Sequence, residues 1–231
     1  MQKDPLKTFI PKLPRKANVE ICGIVDAGQT DKATWVGGQQ GIIVGLMEPG
    51  SPLFALTHIK SGKLKRVTSG SFPAEAVAGH ACLSITLVCQ AIVCEFFSGI
   101  SENLLERTLN PKLQNSRFMC DINMYSDSLG LVQNVNGEFN RNNLDSRRIE
   151  DIEDFRECRR LNKLKLVHIN GTTNPSDALT KALTKCLKTY ALLRILLQTG
   201  RYEPDVSDAY TGHKLPSHPK RKPAGTGTKK S

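Results

Sequence analysis

No Cys-x-x-Cys pair occurs in this 231-residue chain, and no cysteine–histidine set has the spacing of zinc ligands. The seven cysteines, at positions 22, 82, 89, 94, 120, 158 and 186, are odd in number and widely scattered. They read as small buried hydrophobes in a reducing compartment, not as a disulfide framework. The N-terminal stretch, Met1 to Lys16, lacks an apolar h-region and is broken by proline, so no secretory signal is expected. No internal repeat is visible. A single segment, Ala76–Phe97, is apolar enough to be weighed as a membrane span. It carries His80, Ser84, Thr86 and Gln90, starts beside Glu75 and has no flanking basic residues, which favours a buried core helix over a membrane partner. The expected setting is intracellular, cytoplasmic or nuclear.

What the chain does have is enough apolar sequence for one core, 39% against 23% charged, and a net charge of +10. That charge is unevenly placed. The first 18 residues hold five bases against Asp4, and the last 18 hold six bases and no acid, so residues 19–213 balance. Basic ends on a neutral middle suit a polyanion such as nucleic acid, although solubilising ends are the commoner use. Residues 1–17 read as a Pro/Lys arm. Residues 18–199 read as the globular domain. Residues 200–231, with four prolines and a Gly-Thr-Gly-Thr stretch, read as a basic disordered tail.

Along the globular part, three apolar runs with short connections come first: Val19–Asp26, Thr34–Met47 and Pro52–Ile59, the last closed by a basic turn, Lys60–Arg66. These favour an antiparallel meander. A helix follows, with Ser71 or Phe72 at its N-cap, Pro73 near its first position and an end near Phe97. Met119–Ser126 is a fourth strand and Ser128–Val135 a short helix. Asn143–Leu161 is an amphipathic helix with Ile149, Ile152, Phe155 and Cys158 on its buried stripe. Lys163–Ile169 is a fifth strand. Ser176 is expected to cap a last helix with Leu179, Leu183, Leu187, Tyr190, Leu193 and Leu197 on one face. The order predicts an α/β fold, a mixed five-stranded sheet flanked by helices.

Four acids recur at element ends in this reading. Asp26 ends the first strand, Glu75 opens the long helix, Asp127 ends the fourth strand and Asp177 opens the last helix. Taken singly, each has a bland explanation, since acids are favoured at helix starts and Asp is common in turns. Together they fall where α/β sheets gather reactive groups. Four carboxylates in one crevice repel unless divalent cations lie between them. Mg²⁺, a hard ion with oxygen ligands, suits such a cluster, with Mn²⁺ as a substitute. Two such ions can activate a water and stabilise a leaving oxygen.

Longer motifs carry a resemblance. The chain has Val25-Asp26, then Arg66-Val67-Thr68-Ser69-Gly70-Ser71-Phe72-Pro73-Ala74-Glu75-Ala76, then Tyr125-Ser126-Asp127-Ser128, then Arg147-Arg148-Ile149-Glu150-Asp151-Ile152, and finally Asn174-Pro175-Ser176-Asp177-Ala178-Leu179-Thr180-Lys181. In order and over about residues 20–190, these resemble the ribonuclease H domain of a copia-type LTR retrotransposon Pol polyprotein. The resemblance implies a ribonuclease-H-like fold and metal-dependent endonucleolytic hydrolysis of the RNA strand of RNA–DNA hybrids. It also implies two Mg²⁺ ions on Asp26, Glu75, Asp127 and Asp177, and a reverse transcriptase domain in a longer parent. The chain departs from the family's Asp-x-Asp-Trp-Ala at the first strand, where it has Asp26-Ala27-Gly28 and its tryptophan only at Trp35. Ser176 stands in place of Ala, and Glu150-Asp151 is a shifted form of the helix motif.

Other residues carry less. His168 stands where ribonucleases H often have a mobile histidine, but the run Leu164–Ile169 places it on a strand. His80 reads as a core histidine, and Asn174 as the residue that caps or orients the Asp177 loop. Asp121 and Asp145 are acids close in sequence that phase and position disfavour. Tyr125-Ser126-Asp127-Ser128 lacks the second Asp of a polymerase hairpin, and the Asn170-Gly171-Thr172 sequon has no meaning without a secretory route. Two rival readings stay open: a catalytically inactive or domesticated copy that binds nucleic acid as a scaffold, and a DNA-directed nuclease of the same fold.

Overall fold

A computed structural model of the chain describes residues 8–11, 19–28, 38–66, 70–98, 120–137, 146–161, 164–181 and 186–206. Its elements are β1 (Glu20–Gly28), β2 (Gln39–Met47), β3 (Phe54–Lys63), α1 (Ser71–Ser98), β4 (Ile122–Ser126), α2 (Leu129–Asn136), α3 (Ser146–Leu161), β5 (Leu164–His168) and α4 (Leu187–Thr199). Two short 3₁₀ turns, Gly171–Thr173 and Pro175–Leu179, precede α4.

The five strands form one sheet in the order β3-β2-β1-β4-β5. β1 to β3 are an antiparallel meander, whereas β4 runs parallel to β1 and β5 parallel to β4. This is the mixed five-stranded sheet expected from the order of apolar runs, its first three strands the expected meander. β1 is central, and its seven inner residues are all buried, as a strand covered on both faces requires.

Side-chain alternation along β1 divides the core in two. Ile21 and Val25 join Ile42, Val44, Ile122 and Met124 under α1, α2 and α3, whose Ala74, Ala78, Leu131, Ile152 and Phe155 fill that layer. Cys22 and Ile24 join Ile43, Tyr125, Ile169, Leu193 and Leu196 under α4. By the same alternation Asp26 faces the α4 side.

Several expected boundaries move. β3 does not stop at Ile59: it continues through Lys60–Lys63, because alternate residues there face solvent and the basic ones fit an edge strand. The helix expected from Asn143 is described from Ser146, with Ile152 and Phe155 fully buried as its stripe predicts. The last helix does not begin at Ser176. Asn174 caps the turn Pro175–Leu179, accepting from the Ser176 N–H at 3.1 Å, and α4 starts only at Leu187. Its buried face is Thr189, Leu193 and Leu196, whereas Leu187 and Tyr190 are exposed. α1 is long and apolar enough to cross a membrane by length and composition. Its Ala74, Ala78, Cys82, Leu83 and Val93 nevertheless pack on the sheet, while Val88, Ile92 and Phe96 are exposed.

Part of what was assigned to the ends is packed. The Phe9 N–H donates to Leu197 O at 2.8 Å, and Pro11 is buried beside Gly200. Tyr202 is buried edge-on against Phe54 and Tyr125, and Val206 bridges to Ile169. The apolar residues at 202 and 206 thus extend the folded unit beyond 199. The rest of the arm and tail, with Trp35 and Asp145, lies outside the described residues.

Candidate active site

The parallel register of β1 and β4 builds the site. Val25 pairs with Ser126, so Asp26 and Asp127 follow side by side at the same edge of the sheet. Asp26 lies two residues inside the end of β1, and Asp127 follows the last residue of β4. Glu75 reaches the same point from above, about one turn into α1. One ligand oxygen from each of Asp26, Glu75 and Asp127 lies within 4.8 Å of the others.

The three acids are crowded and poorly solvated. Asp26 and Glu75 are buried. Burial pushes the Glu75 carboxyl up to about 9, and the Asp26 and Asp127 charges add to that. Burial lifts Asp26 to about 6, against the opposing hydrogen bond from Thr180. Asp127 is also raised by burial, partly offset by hydrogen bonds from backbone and Asn174. Glu75 Oε1 accepts from the Ala27 N–H at 3.4 Å, while its Oε2 is buried with no partner among the described residues. A buried acceptor without a donor, facing two further carboxylates, is the donor set a hard divalent cation requires. The three residues therefore fit a metal ion.

Asp177 does not join them as a free ligand. It is buried in the turn Pro175–Leu179. Its Oδ1 is paired with Lys181 Nζ, and its Oδ2 accepts from the Thr189 hydroxyl at 3.1 Å. It still lies close enough for its charge to raise Asp26 and Asp127. The turn is fixed to β1 by the Asn174 amide, which donates to Val25 O at 3.1 Å, so Asn174 both caps and orients this loop. Gly41, opposite Asp26 on β2, permits the approach: a Cβ there would lie 2.4 Å from Ser176 O.

Sequence reasoning gave no role to Thr180, Lys181 or Thr189. Thr180 donates to Asp26 Oδ2, and the Lys181 charge acts on Asp26, Glu75 and Asp127 alike. The four-residue spacing of Asp177 and Lys181 was the available signal. Nothing in spacing points to Thr189, which comes from α4. Gly171 also belongs here, since a Cβ on it would lie 2.9 Å from Asp127 Oδ2.

The remaining candidates fall elsewhere or are held. His168 ends β5, its Nε2 3.2 Å from Asp127 O, so it is locked on the strand beside the site. His80 is not in the core: it is half-exposed on α1 and its Nε2 lies 3.1 Å from Asp154 Oδ2 on α3. Asp121 lies at the other end of β4, 3.4 Å from Lys165 Nζ. Asp151, from the helix motif, is buried and takes Arg66 NH1 on both oxygens, at 3.0 and 3.2 Å. Two of the quoted motifs therefore meet in a structural ion pair.

Among solved structures the chain is similar to LC11-RNase H1, isolated from compost by a metagenomic approach. The identity is 19% and the TM-score 0.43, over 73% of this chain and 98% of that one. It is similar to LC11-RNase H1 in complex with an RNA/DNA hybrid at 17% identity and a TM-score of 0.40, over 73% and 99%. RNase H1 from the halophilic archaeon Halobacterium salinarum NRC-1 matches at 15% and 0.38, over 73% and 97%. No protein-family model and no curated protein matches the sequence.

Proposed function

We propose that this chain is a retroelement-derived ribonuclease H domain that hydrolyses the RNA strand of RNA–DNA hybrids with the help of divalent cations, inside the cell. The observation that carries the reading is the meeting of Asp26, Glu75 and Asp127 within 4.8 Å at the strand ends, from three motifs far apart in sequence. These three would hold a Mg²⁺ or Mn²⁺ ion, with Asp177 beside a second position. When bound, the cation supplies Lewis acidity toward water and the leaving oxygen.

The chain's own residues prepare that site. Thr180 fixes the orientation of Asp26, and the Ala27 N–H fixes one oxygen of Glu75. Asn174 pins the Asp177 turn to β1. A groove of about 480 Å³ beside them, lined by Asp127, Thr172, Asp177, Lys181 and Lys188, offers basic side chains to a phosphate backbone. The basic N- and C-terminal segments supply further non-specific attraction to nucleic acid. A reverse transcriptase domain in a longer parent is the partner the motif resemblance implies.

The second reading, a non-catalytic nucleic-acid-binding copy, is favoured by one observation: both Asp177 oxygens are engaged within the chain. Incubation of purified chain with labelled RNA–DNA hybrid in Mg²⁺ or in EDTA separates the two. Internal cuts in the RNA strand that vanish in EDTA are expected. Binding of the hybrid and of Mg²⁺ without any cleavage establishes the scaffold reading instead.

A further inference from the structure

Two thiols meet at the end of the sheet away from the acids. Cys94 lies near the end of α1, and Cys120 lies just before β4. Both are half-buried, whereas Cys22, Cys82 and Cys186 are buried, and none of the seven cysteines is in a disulfide. Gln90, one turn before Cys94 on the same face of α1, donates its amide to Cys120 O at 2.6 Å and so fixes the approach to β4 against the helix. The Cys94 and Cys120 side chains are themselves hydrogen-bonded. That contact divides the labour within the pair. The hydrogen bond from Cys120 holds the Cys94 thiol down, to about 6, against the effect of burial. The same contact, with burial and the Cys94 and Asp121 charges, pushes Cys120 up. Cys94 is thus the nucleophilic thiolate and Cys120 keeps its proton. Burial instead raises Cys22 and Cys82, which makes them inert.

We propose that Cys94 and Cys120 are a peroxide-responsive thiol pair, whose oxidation forms a reversible disulfide that staples the end of α1 to the start of β4. The oxidant is a hydroperoxide. The Cys94 thiolate attacks one peroxide oxygen and the O–O bond breaks. Cys94 becomes a sulfenic acid, and the departing hydroxide takes up the proton that the thiol had lost, as water. The Cys120 sulfur then attacks the Cys94 sulfur and the S–O bond breaks. The hydroxide released there takes the Cys120 proton as a second water. Two thiols and one hydrogen peroxide thus give one disulfide and two waters, with two electrons passing from sulfur to oxygen. Exchange with a dithiol reductant restores both thiols. In a reducing compartment such a bond is transient and redox-sensing. It closes residues 94–120 into a loop, which takes freedom from the unfolded chain. Glu75 and Asp127 lie at the opposite ends of α1 and β4, so the staple forms away from the acids and does not depend on the metal-site reading.

Treatment of the folded full chain with stoichiometric hydrogen peroxide, followed by thiol counting in denaturant and peptide mapping without reduction, tests this. The thiol count should fall by two from its initial seven, with the bond mapped to Cys94 and Cys120, and dithiothreitol should restore it. Cys120→Ser should leave Cys94 as a sulfenic acid that dimedone labels. Cys94→Ser should keep all its remaining thiols. The oxidised wild type should melt about 5–10 °C above the reduced chain. A bond to any other cysteine, no loss of thiols from the folded chain, or an oxidised chain that melts no higher than the reduced one each overturns the inference. Should a serine variant fail to fold, the map of the wild type decides alone.

Discussion

Asp127 follows β4 at the point where the parallel register sets it beside Asp26. Asp127→Asn keeps its size and removes one charge from the acids that face a cation. A neutral amide is a far weaker ligand for Mg²⁺, and loss of a direct ligand should exceed the roughly 10–100-fold typical of residues that only support ligands. Cleavage of a hybrid should fall by more than about a hundredfold, while the melting temperature in EDTA stays equal or rises because fewer acids repel. Asp121→Asn weakens a surface pair with Lys165, worth about 0–1 kcal/mol, at the other end of β4 and should cleave as the wild type. Equal cleavage by Asp127→Asn would remove it from the site. Glu75 gives the pH dependence. Its folded value near 9 lies above its ordinary 4.5, so between those limits the metal-free folded chain holds a proton that the unfolded chain has lost. Stability therefore falls as pH rises through that window, by up to about 1.4 kcal/mol per pH unit. Asp26 adds the same sign between 3.8 and about 6. Melting curves in EDTA should show Glu75→Gln gaining on the wild type from pH 5 to pH 8. A difference that is flat with pH contradicts the burial of this carboxyl. The acids themselves were legible because each sits at an element end and in a motif. Thr180, Lys181 and Thr189 were not, because their roles depend on how the Asp177 turn packs.

The turn Pro175–Leu179 is the element on which the sequence and the structure differ most. Asn174-Pro175-Ser176-Asp177 carries every local mark of a helix start, a capping side chain, a proline and an acid. The structure uses those marks for a 3₁₀ turn, and Asn174 spends its amide on Val25 O across the sheet. Periodicity could not show this, since a leucine spacing continues through 179, 183 and 187. The meander, the long helix and the stripe of α3 were legible, because strong alternation and a 3.6-residue period have few other solutions. The turn's position depends on Gly41, where a Cβ would meet Ser176 O at 2.4 Å and Leu179 Cβ at 2.9 Å. Gly41→Ala should cost about 1–3 kcal/mol of stability. It should also weaken Mg²⁺ binding by displacing Thr180 from Asp26. A variant as stable as the wild type, with unchanged Mg²⁺ titration, would show that the turn has room to move. Arg66 and Asp151 tie the segment before α1 to α3. Arg66→Met, which strands a buried carboxylate, should destabilise by about 1–3 kcal/mol, and Arg66→Met with Asp151→Leu should recover most of it.

At the scale of the whole molecule, the charge distribution separates folding from binding. Residues 19–213 are neutral overall and contain every strand and helix described, while the +10 excess lies at the two ends. Beyond α4 the described chain is held by Tyr202 against Phe54 and Tyr125, and by the bridge of Val206 to Ile169. Composition alone did not show this, because two apolar residues in a proline-rich stretch give no period to read. Removal of residues 214–231 therefore spares every described contact and takes away six bases. If those bases meet phosphates, each releases roughly 0.9 counterions from duplex, about five in all. A chain ending at His213 should then bind hybrid with a salt dependence shallower by up to that amount in log Kd against log salt. Its unfolding free energy should match that of the full chain within about 0.5 kcal/mol. A slope identical to the full chain's would make the tail a bystander and place the attraction in the groove lysines, Lys181 and Lys188.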